Sequence, residues 1–191
     1  MKLSNRINAL LPESASLFER AQARVVSITS IGIGFAILAL VLYWILTNTL
    51  EQIETIFVSL GLTLLFAGIV ALVKRGYIKT GAWLITGLML FLNLSNMAWY
   101  GIGSSASAGY IIPILLAAFS ISPKAGMGIT IVGCVSVFSF AYLASIGQLQ
   151  TEIPYQVSNL SFDAPTLSLI YLITGVLGGG WVASTREAFA K

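Results

Sequence analysis

Histidine is absent from this 191-residue chain, and charged residues make up only 9% of it, against about a quarter in an ordinary soluble domain. The first absence excludes imidazole ligation of haem, metal or pigment magnesium by the chain itself. The second says that water is not the main solvent, because 57% of the residues are hydrophobic and too few polar ones remain to cover them. A single cysteine, Cys134, lies within an apolar run, so an intrachain disulfide is excluded and a small packing role is expected. The first twenty residues, MKLSNRINALLPESASLFER, are interrupted by Pro12, Glu13 and Arg20, and no cleavable signal peptide is expected there.

What is present is a series of apolar runs. Six can be read as membrane spans: about 25–45, 55–73, 81–97, 108–123, 125–146 and 167–184. The expected fold class is therefore all-α, a polytopic six-transmembrane-helix bundle. Residues 1–24 form an amino-terminal segment, 25–186 the membrane domain and 187–191 a short tail. Leu3, Ile7, Leu10 and Leu11 recur at helical spacing with Lys2 and Arg6 on a polar face, which suggests a short interfacial helix. The fourth run has only about 16 adequately apolar residues and contains Pro113; the proline is expected to bend a helix in its outer half. A re-entrant segment is the competing reading of that run. Between the last two spans, QLQTEIPYQVSNLSFDAP has room for an irregular flap or a short surface helix, not for a domain.

The charges set an orientation. With six spans, all ten basic residues fall on one side: Lys2, Arg6, Arg20, Arg24, Lys74, Arg75, Lys79, Lys124, Arg186 and Lys191. Glu51, Glu54, Glu152 and Asp163 fall on the other. The positive-inside rule then places both termini in the cytoplasm, N-in and C-in. Lys124 supports a crossing by the fourth run, since an odd number of spans breaks the partition. The basic residues flank apolar runs instead of gathering in a polar module, so membrane placement, with anionic lipid at the basic inner loops, is expected and nucleic acid is not.

No Asp, Glu, Lys, Arg or His occupies the centre of any span, which argues against proton relays, ion-coupled carriers and voltage sensors. No nucleophile–base pair, zinc set or paired carboxylates can be assembled. A non-enzymatic chain without cofactor or metal is expected. Hydroxyls inside the spans are read as bonding back to the preceding helical turn. Asn93 and Asn96, three apart and followed by Trp99 and Tyr100 near the outer end of the third span, have two readings: interhelical hydrogen bonding or a small outward pocket. Pro113 joins this set, as do Gly175 and Gly179, a small-xxx-small pair in the last span; Ala67 and Ala71 form another in the second. In ISPKAG, Pro123 ends one helix or opens the next, Lys124 anchors at the interface and Gly126 relieves crowding.

Four stretches together carry a resemblance: KRGYIKTGAWLITGLMLF at an inner hairpin, YIIPILLAAFSISPKAG through a tight turn, the polar stretch before the last span, and WVASTREAFAK at the exit. Over about residues 20–191 the chain resembles the multi-span amino-terminal membrane regions of bacterial sensor histidine kinases and diguanylate cyclases. The resemblance implies a bacterial inner membrane and a sensory unit whose last helix passes a signal to a cytoplasmic output domain. The chain stops at Lys191 without a kinase, cyclase or complete adaptor after Arg186. If the chain is complete, it is expected to signal through another membrane or cytoplasmic chain; if it is an excerpt of a longer receptor, its last helix carries the output attachment. The different-class expectation is an accessory or assembly subunit of a larger membrane complex; a small-solute transporter is the third.

Overall fold

The computed structural model describes residues 17–47, 53–102, 105–149 and 157–190. The suggested interfacial helix in residues 1–16 lies outside them. Seven helices occur among the described residues: α1 Leu17–Leu46, α2 Ile53–Lys74, α3 Ile78–Tyr100, α4 Ser105–Ala108, α5 Ile111–Ser120, α6 Pro123–Ser145 and α7 Val157–Ala190. Five carry stretches long and apolar enough to cross a membrane, at Phe18–Tyr43, Ile56–Lys74, Ile78–Tyr100, Pro123–Ser145 and Asp163–Thr185. The chain is thus an all-α, polytopic membrane protein. α5 is apolar but has only 10 residues, or about 15 Å, half of a bilayer's hydrocarbon thickness.

Local sequence explains most of the helix ends. α2 closes in a Schellman turn, with Tyr77 N donating to Leu72 O and Gly76 N to Val73 O at 3.1 and 3.0 Å. Gly76 sits there at φ 91°, a left-handed conformation that a side chain would strain. Gly101, at φ 80°, ends α3 by donating to Met97 O at 3.0 Å. Of the two roles open to Pro123, the structure has the second: it opens α6. Ser122 is the N-cap, its hydroxyl accepting from Ala125 N at 3.0 Å, and a proline in the first turn forfeits a donor with no partner inside the helix.

Two expectations are corrected. The fourth run is not one helix bent at Pro113; the helix is interrupted before it, at Gly109 and Tyr110. The outer polar stretch is neither flap nor separate helix from Val157 onward, because those residues already belong to the 34-residue α7, with Pro165 inside it.

The chain divides into two compact units, Met1–Ile85 and Thr86–Lys191, with the division inside α3. In the first, α1 packs on α2 with Gly34 against Phe66, while Ile69 and Val73 of α2 meet Gly81 of α3. In the second, α5, α6 and α7 pack on one another, and Met97, Ile102, Tyr110, Ile114, Val137 and Tyr171 form the buried centre. Large apolar side chains such as Phe35, Leu64, Phe91 and Leu177 remain exposed on the helices; facing lipid, they need no protein cover.

Candidate functional site

Packing fixes the depth of the break in the fourth run. An added Cβ on Gly126 would come within 2.6 Å of Ala118 Cβ, and one on Gly133 within 3.1 Å of the Tyr110 ring. α5 therefore runs antiparallel beside the first half of α6. Gly133 lies about 15 Å along α6 from Pro123, near the middle of a helix about 34 Å long. The amino end of α5 stands beside it, at mid-membrane depth. Residues leading from Tyr100 to that point include the buried Gly101, Ile102, Ser107 and Tyr110. Non-helical backbone at such depth persists only where protein or a water-filled cavity satisfies its polar groups.

Here protein does so. Pro113 has no N–H to give to the carbonyl four residues back, that of Gly109. Gly109 O instead receives Ile112 N at 3.2 Å and the side-chain amide of Asn93 at 3.4 Å. The same Asn93 nitrogen donates to Met89 O at 2.7 Å, so one amide bridges α3 and the break. Ser107 O receives Tyr110 N at 3.3 Å and the hydroxyl of Tyr171 from α7. The chain is thus interrupted where a proline has removed a donor, and two side chains from neighbouring helices replace what was lost.

The tyrosines share this level. Their ring centroids are 5.4 Å apart and tilted by 30°, and Gly133 offers both a flat surface. Tyr110 Oη is buried with Ser136 as the polar side chain beside it, and Ser136 donates its own proton to Val132 O at 2.7 Å. Ser168 Oγ is buried and unpaired, while Cys134 Sγ lies 3.6 Å from Ser168 O. The amino end of α5 has no side-chain cap, Ile112 N is engaged by Gly109 O and Pro113 has no proton. That end offers little to an anion despite its dipole.

Below the break, the three helices close on small residues. A Cβ on Gly175 would come 2.3 Å from Thr130 Oγ1, and one on Gly178 3.0 Å from Leu115. Gly179 faces Pro123 at 3.7 Å. Phe119 and Trp181 meet edge to face with centroids 5.0 Å apart.

The residues singled out from sequence therefore separate. Asn93 and Pro113 meet through Gly109 O, and Gly175 and Gly179 lie in the α6–α7 contact below. Asn96 is exposed, as are Trp99 and Tyr100, and they do not share the contact of Asn93 with Gly109. Tyr171 and Tyr110 were not anticipated. Their signal was available: a tyrosine near the centre of an apolar run is far from the interface where its hydroxyl finds water, and needs a partner inside. Comparison with protein-family models, curated proteins and solved structures gives no match to this chain.

Proposed function

We propose that this protein is a non-catalytic membrane sensory module of six crossings, with both termini in the cytoplasm of a bacterial inner membrane. A change in the lipid or in a small apolar ligand alters packing at the mid-membrane break, and α7 carries the change to a cytoplasmic or membrane partner. The observation that supports it most is the Tyr171 to Ser107 hydrogen bond, which ties an interrupted segment to a continuous helix. At 34 residues, α7 is about 51 Å long, enough to cross and emerge. A shift at Tyr171 has a continuous helical path to Thr185 and beyond.

The orientation rests on the charge partition and on the aromatic ends. Lys74, Arg75, Tyr77 and Lys79 are exposed on one hairpin, suited to anionic headgroups; Trp99 and Tyr100 are exposed at the far end of α3, suited to the opposite interface. α5 then crosses the inner half and α4 lies in the outer half, which keeps Lys124 inside. The resemblance to kinase and cyclase sensor regions supports the same reading.

The test measures spin-label distances between positions 124 and 187 in a Cys134→Ala background, in bilayers of differing thickness and anionic content. Both labelled side chains are exposed. The expected result is a distance change of about 1–2 Å, the scale of helix shifts in signalling proteins, with a different distribution in Tyr171→Phe. Invariant distances in every bilayer and in the variant overturn the sensory reading in favour of the accessory-subunit one. Co-purification of a fixed multiprotein assembly would favour that alternative directly.

A further inference from the structure

Within the first unit, α1 and α2 leave a groove of about 230 Å³ between them, walled by Phe35, Leu38, Phe66 and Ala67, with Gly34 and Ser30 on its floor. Ser30 lies midway along the apolar stretch Phe18–Tyr43, roughly 18–20 Å from either end. The groove is at the middle of the membrane and opens outward, since Phe35 is 73% exposed. Its lining is apolar except for the hydroxyls of Ser30 and Thr63. Ser30 is 1% exposed, and its hydroxyl has no hydrogen-bond partner, although a helical serine can bond back to its own preceding turn. Thr63, also at the groove, does this, donating to Ser59 O at 2.9 Å.

Shape limits what enters. The floor from Ser30 to Leu38 is about 12 Å long, which gives the groove a mean section of roughly 20 Å². A helix about 10 Å across has a section of roughly 80 Å², so it would lie over the groove and leave it unfilled. An apolar cavity of about 150 Å³ takes up a benzene ring, so this larger, elongated space suits an open chain. Ser30 adds a requirement that a plain hydrocarbon does not meet. We propose that the α1–α2 groove binds an elongated apolar molecule that carries a hydrogen-bonding oxygen, a carbonyl or hydroxyl, at mid-membrane depth, with Ser30 rotating about χ1 to bring its hydroxyl, closed off in the free protein, onto that oxygen. The site stands on residues of the first unit and does not depend on the sensory reading.

The experiment measures binding to the full chain in micelles by native mass spectrometry, using an eighteen-carbon fatty acid with a mid-chain ketone and its unsubstituted counterpart. The wild type is expected to prefer the ketone roughly tenfold, the yield of one hydrogen bond in an apolar site. Ser30→Ala should bind both equally, at the affinity of the plain chain. Ala67→Phe, filling the groove from an exposed position, should weaken both at least tenfold. Leu65→Phe, equally exposed but outside the groove, should change neither. Unaltered binding in Ala67→Phe, or an equal loss in Leu65→Phe, overturns the site. No ketone preference, or one that survives Ser30→Ala, overturns the role of the hydroxyl. Folding of each variant is checked by its elution volume and thermal midpoint, so that lost binding is read only from folded protein.

Discussion

The α5–α6–α7 cluster and the α1–α2 pair are both built from apolar helices rich in glycine, yet glycine serves opposite ends in them. In the cluster, Gly126, Gly133, Gly175 and Gly178 each face an atom of a neighbouring helix at 3.1 Å or less from where a Cβ would stand. In the pair, Gly32, Gly61 and Gly68 face open space, and Gly34 meets Phe66 at an ordinary 3.8 Å. Membrane helices gain little by hiding apolar surface from lipid, so close backbone approach and interhelical hydrogen bonds decide which helices hold together. The cluster has both. The pair also packs closely along its length, but it does so without crowding at its glycines and leaves a groove.

The largest expected contrast follows from those distances. Gly126→Ala places a methyl 2.6 Å from Ala118 Cβ and 2.9 Å from its Cα; backbone cannot yield as a side-chain end does. A loss of about 2–3 kcal/mol is expected, at the upper end for overpacking. Gly68→Ala, with nothing to strike, should instead gain up to about 1 kcal/mol from helix propensity. Thermal unfolding of both in the same lipid–detergent micelles measures the difference. Similar effects at the two positions would erase the contrast between the regions.

The break inside the cluster can be taken apart through its carbonyls. Asn93→Leu leaves Gly109 O with Ile112 N alone, and a loss of about 1–2 kcal/mol is expected, below that of an orphaned acceptor. Pro113→Ala returns an N–H to the position from which a helix would serve Gly109 O. The double variant Asn93→Leu/Pro113→Ala should therefore recover most of the stability lost by Asn93→Leu. A double-mutant cycle reads this coupling. Additive losses would mean that Asn93 and Pro113 do not share Gly109. Tyr171→Phe removes the donor to Ser107 O while keeping the ring against Gly133, and about 1–2 kcal/mol is expected. Ser107 O retains Tyr110 N, which keeps the loss below that of an orphaned group.

These variants also mark how far the sequence could be read. The five long helices were visible as apolar runs because length and hydropathy alone decide whether a helix can span. The interruption of the fourth was visible only as a shortage of residues and a proline. Where the helix gives way depends on the carbonyl four residues back and on who donates to it, and neither Asn93 nor Tyr171 can be assigned to a carbonyl without tertiary structure. Asn93 and Asn96 looked equivalent because helical spacing puts them near one face. Three residues rotate a side chain by about 300°, and that residual turn is enough to leave one facing Gly109 and the other facing outward. Ala67 and Ala71 matched the same small-residue pattern as Gly175 and Gly179. Both alanines are exposed, because the pattern states where a helix could approach, not whether one does.

The smallest expected effect tests the open region. Without a bound molecule, Ser30 holds a buried hydroxyl that makes no hydrogen bond, a cost the fold carries with no return. Ser30→Ala removes the hydroxyl and leaves nearly the same volume, so a gain of about 0.5–1 kcal/mol is expected. Thr63→Val should go the other way or show nothing, because that hydroxyl is already bonded to Ser59 O. If Ser30→Ala were destabilising in lipid-stripped protein, the hydroxyl would have a partner in the free protein, and the reason for assigning it to a ligand would be gone. If the gain appears in stripped protein and shrinks when the keto acid is added, Ser30 is costly only when the groove is empty, which is how a binding residue differs from a packing one.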